Sequence, residues 1–170
     1  MRNADRPLLR ETRFGAYSVV LRSGSHLPEP IRNWLTLTRE DRYLEVHVPD
    51  SVKGAPGAIL ESFKQGALAL ADFLVEKGLS PKCLVGVTHS NVAKPASRFL
   101  NFTVITGIPE DAVDQQKAKR VDQGYAMTRR AQEGTPRGPL CFCYQSMESF
   151  MEFTRRLRDS ADRGPSPAAA

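Results

Sequence analysis

The run CLVGVTHS at residues 83–90 is almost uninterruptedly apolar, and it limits the possible folds more than any other stretch. A strand with one wet face alternates; one that is apolar along its length is buried on both faces and needs cover above and below. Ahead of it, AILESFKQGALALADFLVEKG (58–78) has Ile59, Leu60, Phe63, Ala67, Leu70, Ala71 and Leu74 on one stripe, which predicts a long helix packed on a sheet. Pro56 suits that helix's first turn and Gly78 its stop. Earlier still, RYLEVHVPD (42–50) alternates cleanly. Leu44, Val46 and Val48 point one way, and Tyr43, Glu45 and His47 the other. Pro49-Asp50 ends that strand. Strand, long helix, buried strand is a β–α–β unit, so an α/β domain follows.

The flanks extend the pattern. Residues 1–13 read as a polar N-terminal arm, and GAYSVVLRSG (15–24) has the β-branched and aromatic content of a strand. Pro28 and Pro30 introduce IRNWLTLT, a short helix whose Ile31, Trp34 and Leu35 are expected to cover core. After residue 90 a short helix is expected, with Ser90 or Asn91 as its cap, Pro95 near its first turn, and Phe99 and Phe102 as core contacts. FTVITGI (102–108) and PLCFCYQS (139–146) read as strands. Residues 109–134 read as a polar helix, with acids at its start and Arg129-Arg130 at its end. MESFMEFTRRLRDSADR (147–163) makes a final helix with Phe150, Phe153 and Leu157 inward. It runs into a tail, 159–170, expected to be disordered. The expectation is one α/β domain over 14–158, with a mixed sheet flanked by helices.

No window approaches the roughly 20 apolar residues of a membrane span, and the charged start lacks a secretory apolar run. A soluble, cytoplasmic protein with no membrane association is therefore expected. Cys83, Cys141 and Cys143 have no zinc-type spacing. Cys141 and Cys143 share one face of their strand, and buried, unreactive thiols are the commoner outcome for such a pair. His47, His89 and Cys83 match no metal pattern, so no metal site is assigned. The formal charge of +5 mildly favours acidic partners.

Residues 44–105 resemble the central motif of the GNAT superfamily of acyl-CoA-dependent N-acyltransferases. The correspondence runs through LEVHVPD, the loop SVKGAPGA, the long helix, CLVGVTHS, Asn91 and RFLNFTVI. In that family a strand ends in a phosphate-cradling Gln/Arg-x-x-Gly-x-Gly/Ala loop that opens a long helix. A parallel strand then leads to an Asn, a short helix carrying a Tyr, and a Gly-Phe. The resemblance implies acetyl-CoA or another acyl-CoA as cofactor and an amine as acyl acceptor. It implies that Lys53, Gly54, Ala55 and Gly57 cradle the pyrophosphate, since glycines and a helix N-terminus suit a phosphate. The backbone of Val46 and Val48 would hydrogen-bond the pantetheine arm where the two strands splay apart, and Asn91 would hold the cofactor from the other side. Glu45 or His47 would take the amine's proton, directly or through water. The family's Tyr falls near Ser97. Further departures are Ser51 for Gln/Arg, Pro56 for the second Gly/Ala, and Asn101 for the Gly of Gly-Phe.

The commoner setting for a Glu45/His47 pair is a solvated strand face. Neither a nucleophile elbow nor a Walker loop is present. A second reading is a non-catalytic α/β module that binds an acidic protein or nucleic acid through basic helices, using Lys117, Lys119, Arg120, Arg129 and Arg130.

Overall fold

The structure, a computed structural model, describes residues 8, 10–48, 54–105, 134 and 138–162, with only the backbone at 91 and 92. Among these residues six strands form one mixed sheet: β1 (Thr12–Phe14), β2 (Tyr17–Ser23), β3 (Arg42–His47), β4 (Cys83–His89), β5 (Thr103–Ile105) and β6 (Leu140–Ser146). The helices are α1 (Glu29–Trp34), α2 (Pro56–Lys77), α3 (Ser90–Leu100) and α4 (Met147–Asp162). The sheet order is β1-β2-β3-β4-β6-β5. Among the described residues only the β3–β4 pair is parallel; the other neighbours run antiparallel. The expected α/β fold with a mixed sheet is therefore observed.

Both sheet faces are covered. On one, Leu44, Leu84 and Cys143 pack with Leu70 and Leu74 of α2, Ala93 of α3 and Phe150 of α4. On the other, Tyr43, Cys83, Val85 and Phe142 pack with Leu27, Ile31 and Leu37 around α1. This is why β4 reads as a continuous apolar run: its odd residues face one core and its even residues the other. Helix α2 starts with Pro56 in its first turn and ends at Gly78, whose φ of 61° is the left-handed cap. The Leu79 N–H bonds back to the Leu74 carbonyl at 2.9 Å, closing the end as a glycine cap does.

The ends of the domain differ from expectation. Residues 12 and 13, read as part of a polar arm, belong to β1, and Leu8 is fully buried in the main core. Arg13 points to solvent while Phe14 stacks edge-on against Phe73 at 5.3 Å. A short edge strand with a charged outer side resembles an arm in sequence. At the other end, α4 runs to Asp162, in keeping with the helix expected over 147–163, and so takes in residues 159–162 of the expected tail. The expected helix at 109–134, apart from Gly134, and the tail beyond 162 lie outside the described residues.

Three local expectations are also corrected. Trp34 is 51% exposed and meets Tyr144 edge-on at 5.0 Å, while Ile31 alone of its expected trio is fully buried. Phe99 is 45% exposed beneath the Arg98 guanidinium, and Leu100 takes the core position. His89, not Ser90 or Asn91, is the N-cap of α3, and Pro95 lies inside that helix rather than in its first turn.

Candidate functional site

Strands β3 and β4 share only three registered pairs: Leu44 with Leu84, Glu45 with Val85, and Val46 with Gly86. Each strand then continues with its outer partner. β3 pairs with β2 as far as His47 opposite Ser18, and β4 pairs with β6 as far as His89 opposite Leu140. The ladder between these two parallel neighbours thus ends while both strands run on. This lies at their carboxyl ends, where open α/β sheets bind ligands. Gly86 occupies the last shared rung, and a Cβ there would lie 3.3 Å from the Val46 carbonyl oxygen. Val48, just past the strand, is 51% exposed.

Because α2 carries the chain from β3 back to the start of β4, its N-terminus lies at this same end of the sheet. Ala55 is its N-cap, extended at φ −64°, with no side chain capping the first turn and no acid in it. Pro56 removes one N–H, but at a position with no intrahelical acceptor. The Ile59 N–H already bonds to the Ala55 carbonyl at 3.1 Å. That leaves the N–H groups of Gly57 and Ala58 as first-turn donors without an intrahelical partner. Space is open where a Cβ would stand at Gly54 and at Gly57. Gly54 has a φ of 140°, a conformation that favours glycine. Lys53 lies outside the described residues.

Glu45 and His47 share a strand face as expected, but that face is not solvated. Tyr43 is fully buried, the Glu45 side chain is 9% exposed and the His47 side chain 22%. The Tyr43 hydroxyl donates to Glu45 Oε2 at 3.3 Å, and His47 Nε2 lies 2.9 Å from Glu45 Oε1. Burial, then the Glu45 charge, raises the Tyr43 phenol above its usual range, which keeps it a donor. Across the strand from His47, Ser18 is buried and its hydroxyl donates to Glu11 at 2.6 Å. Tyr43 was visible in the same alternation that singled out Glu45 and His47. Ser18 and Gly86 needed the register.

Other named residues fall elsewhere. Ser97 is exposed on α3, the helix whose Ala93 and Leu100 cover the opposite sheet face from Glu45. The fold therefore does not bring Ser97 to the Glu45–His47 pair. Asn91 lies in the first turn of α3, with only its backbone described. His89 is buried and its Nδ1–H donates to the Gly138 carbonyl at 2.9 Å, tying the β4–α3 junction to the approach of β6. Cys83 sits at the far end of β4 from His89, so those two are not brought together with His47. Asn101, which the expected resemblance sets against a glycine, has φ 60° and ψ 29° and ends α3. Its Nδ2 donates to Ser149 Oγ at 2.8 Å. The position requires a left-handed residue, and asparagine is the side chain that tolerates it best after glycine.

The arginines of α4 are engaged with carboxylates. Arg155 holds Glu152 at 2.6 Å and lies 3.7 Å from Asp159, Arg156 is 3.7 Å from Glu152, and Arg158 contacts Asp72 of α2. Among the described residues no helix is long and apolar enough to cross a membrane. The chain matches no protein-family model, no curated protein and no solved structure.

Proposed function

We propose that the chain is a divergent GNAT-like acyl-CoA-binding protein that transfers an acyl group to an amine. The observation that carries this reading is the ending of the β3–β4 ladder at Val46 and Gly86, at the end of the sheet from which the chain passes to α2. A flat extended arm needs backbone groups not already used by a neighbouring strand. The inner edge of β3 beyond Val46 meets that need. In this reading the backbone of Val46 and Val48 lines the pantetheine arm, and Asn91 approaches from the β4 side. Gly54, Ala55 and Gly57 form the pyrophosphate cradle. The absence of acids in the first turn of α2 and the open space at both glycines fit an anion there. Acyl-CoA, when bound, supplies an activated thioester carbonyl. Glu45 and His47 then handle the amine's proton on the α1 face of the sheet.

The test is thermal unfolding with CoA and acetyl-CoA. A ligand that binds only the native state at a hundred times its Kd stabilises by about 2.7 kcal/mol, which raises Tm by about 5 °C or more in a domain of this size. No shift at millimolar ligand would overturn the reading. The informative variant is Gly57→Leu. Its side chain enters open space over the helix N-terminus and costs the helix nothing, so the CoA shift should vanish while the ligand-free Tm holds. A side chain at Gly54 would be confounded by backbone strain at its φ of 140°.

A further inference from the structure

Resting on the acyltransferase reading, we propose that His47 is the base, acting through Nδ1, and that Glu45 and Tyr43 are positioning residues that fix its tautomer. The three side chains stand at i, i+2 and i+4 on β3, so all project from one face of the strand. Exposure rises along the file: Tyr43 is fully buried, the Glu45 side chain is 9% exposed, and the His47 side chain 22%. The file thus runs from the core toward the place where β3 leaves β4. His47 is its outermost member, one residue past the last shared rung at Val46.

Glu45 has a donor at each oxygen, Tyr43 at Oε2 and His47 at Oε1. Both bonds favour the ionised carboxylate, and both occupy it. A carboxylate held this way orients its neighbour better than it accepts a substrate proton. Ionised Glu45 can only accept, so the imidazole presents Nε2–H to it, and Nδ1 carries the basic lone pair. The Tyr43 bond is long for O–H···O. Its contribution is direction: it keeps Oε1 turned toward His47. In the step that follows, the amine nitrogen bonds to the thioester carbonyl carbon and the C–S bond breaks. The amine's proton passes to Nδ1, and the C–S electron pair leaves on the CoA thiolate, which the proton on His47 then neutralises.

The tautomer can be read without turnover by ¹⁵N NMR of the imidazoles. The chain has three histidines, and His47→Gln identifies the signal. The expected result is Nε2–H for His47 in the wild type, with a mixture of tautomers in Tyr43→Phe and a larger one in Glu45→Gln, at unchanged far-UV circular dichroism. An Nδ1–H tautomer in the wild type, or a Tyr43→Phe spectrum identical to wild type, overturns the proposal. Turnover is read as thiol release from acetyl-CoA with a panel of primary amines. His47→Gln should lose about a hundredfold or more in kcat. Tyr43→Phe should lose about tenfold, the worth of one hydrogen bond to a charged group, at unchanged KM for acetyl-CoA. The Nε2–H tautomer without turnover or a CoA-induced Tm shift would instead sink the acyltransferase reading, and the role of His47 as base with it.

Discussion

Cys83 shows how burial fixes a side chain's chemistry. Cys83, Cys141 and Cys143 are all buried and free. Burial, and then the charge of Asp41, pushes the Cys83 thiol up to about 12. Cys143 is held protonated first by its hydrogen bond with Cys141 and then by burial. Unfolded thiols ionise near 8.5. A native thiol with a raised pKa therefore stabilises the fold fully below that value, and the contribution is lost as pH climbs toward the native pKa. Urea stability should fall between pH 9 and pH 11, and Cys83→Val should fall less steeply than wild type. Equal slopes would show that Cys83 ionises freely in the fold. The burial of Cys141 and Cys143 was legible because two cysteines at i, i+2 in an apolar strand need only the rule of burial. Asn101 was not. Letters aligned with a family glycine register a mismatch, whereas the physical requirement is a positive φ, which asparagine meets.

Helix α2 and the β1–β2 hairpin meet backbone to backbone. A Cβ on Gly66 would lie 2.1 Å from the Phe14 carbonyl oxygen, and one on Gly15 would lie 2.4 Å from the Ser62 carbonyl oxygen. Gly15, at φ 55°, makes the turn, and the Ala16 N–H reaches the Ser62 carbonyl at 3.4 Å. Gly-to-Ala in a helix interior ordinarily gains about 1 kcal/mol. Here the obstacle is backbone, which cannot rotate away, and overpacking costs about 1–3 kcal/mol. Gly66→Ala should therefore lower the urea midpoint; a raised midpoint would mean that the hairpin does not sit on α2. The apolar stripe of α2 could be read from its period of 3.6, because Leu70, Ala71 and Leu74 are buried wherever the helix lies on a sheet. The hairpin that rides on Gly66 could not. β1 offers three residues, one of them a charged outward arginine, and a glycine in a helix does not announce its neighbour.

The two cores share the same strands, so neither sheet face can come apart alone. Trp34 is the only tryptophan and meets Tyr144 of β6 from α1, whereas among the described residues helix content comes mainly from α2 and α4 on the other face. Unfolding followed by tryptophan fluorescence and by circular dichroism at 222 nm should therefore give coincident transitions. Separate midpoints would mean that the α1 face melts independently. The β–α–β centre was legible because β3, α2 and β4 each carry a strong period. The end of the ladder at Val46 was not, since pairing depends on which strand lies alongside, and sequence records only what precedes and follows. The same strand order has a consequence for biosynthesis. β4 ends at His89, but its antiparallel neighbour β6 begins only at Leu140, and among the described residues β5 pairs only with β6. As the chain leaves the ribosome, an apolar strand waits with one edge open until β6 arrives. That waiting interval is when a chaperone, or another nascent copy, would find the chain most adhesive.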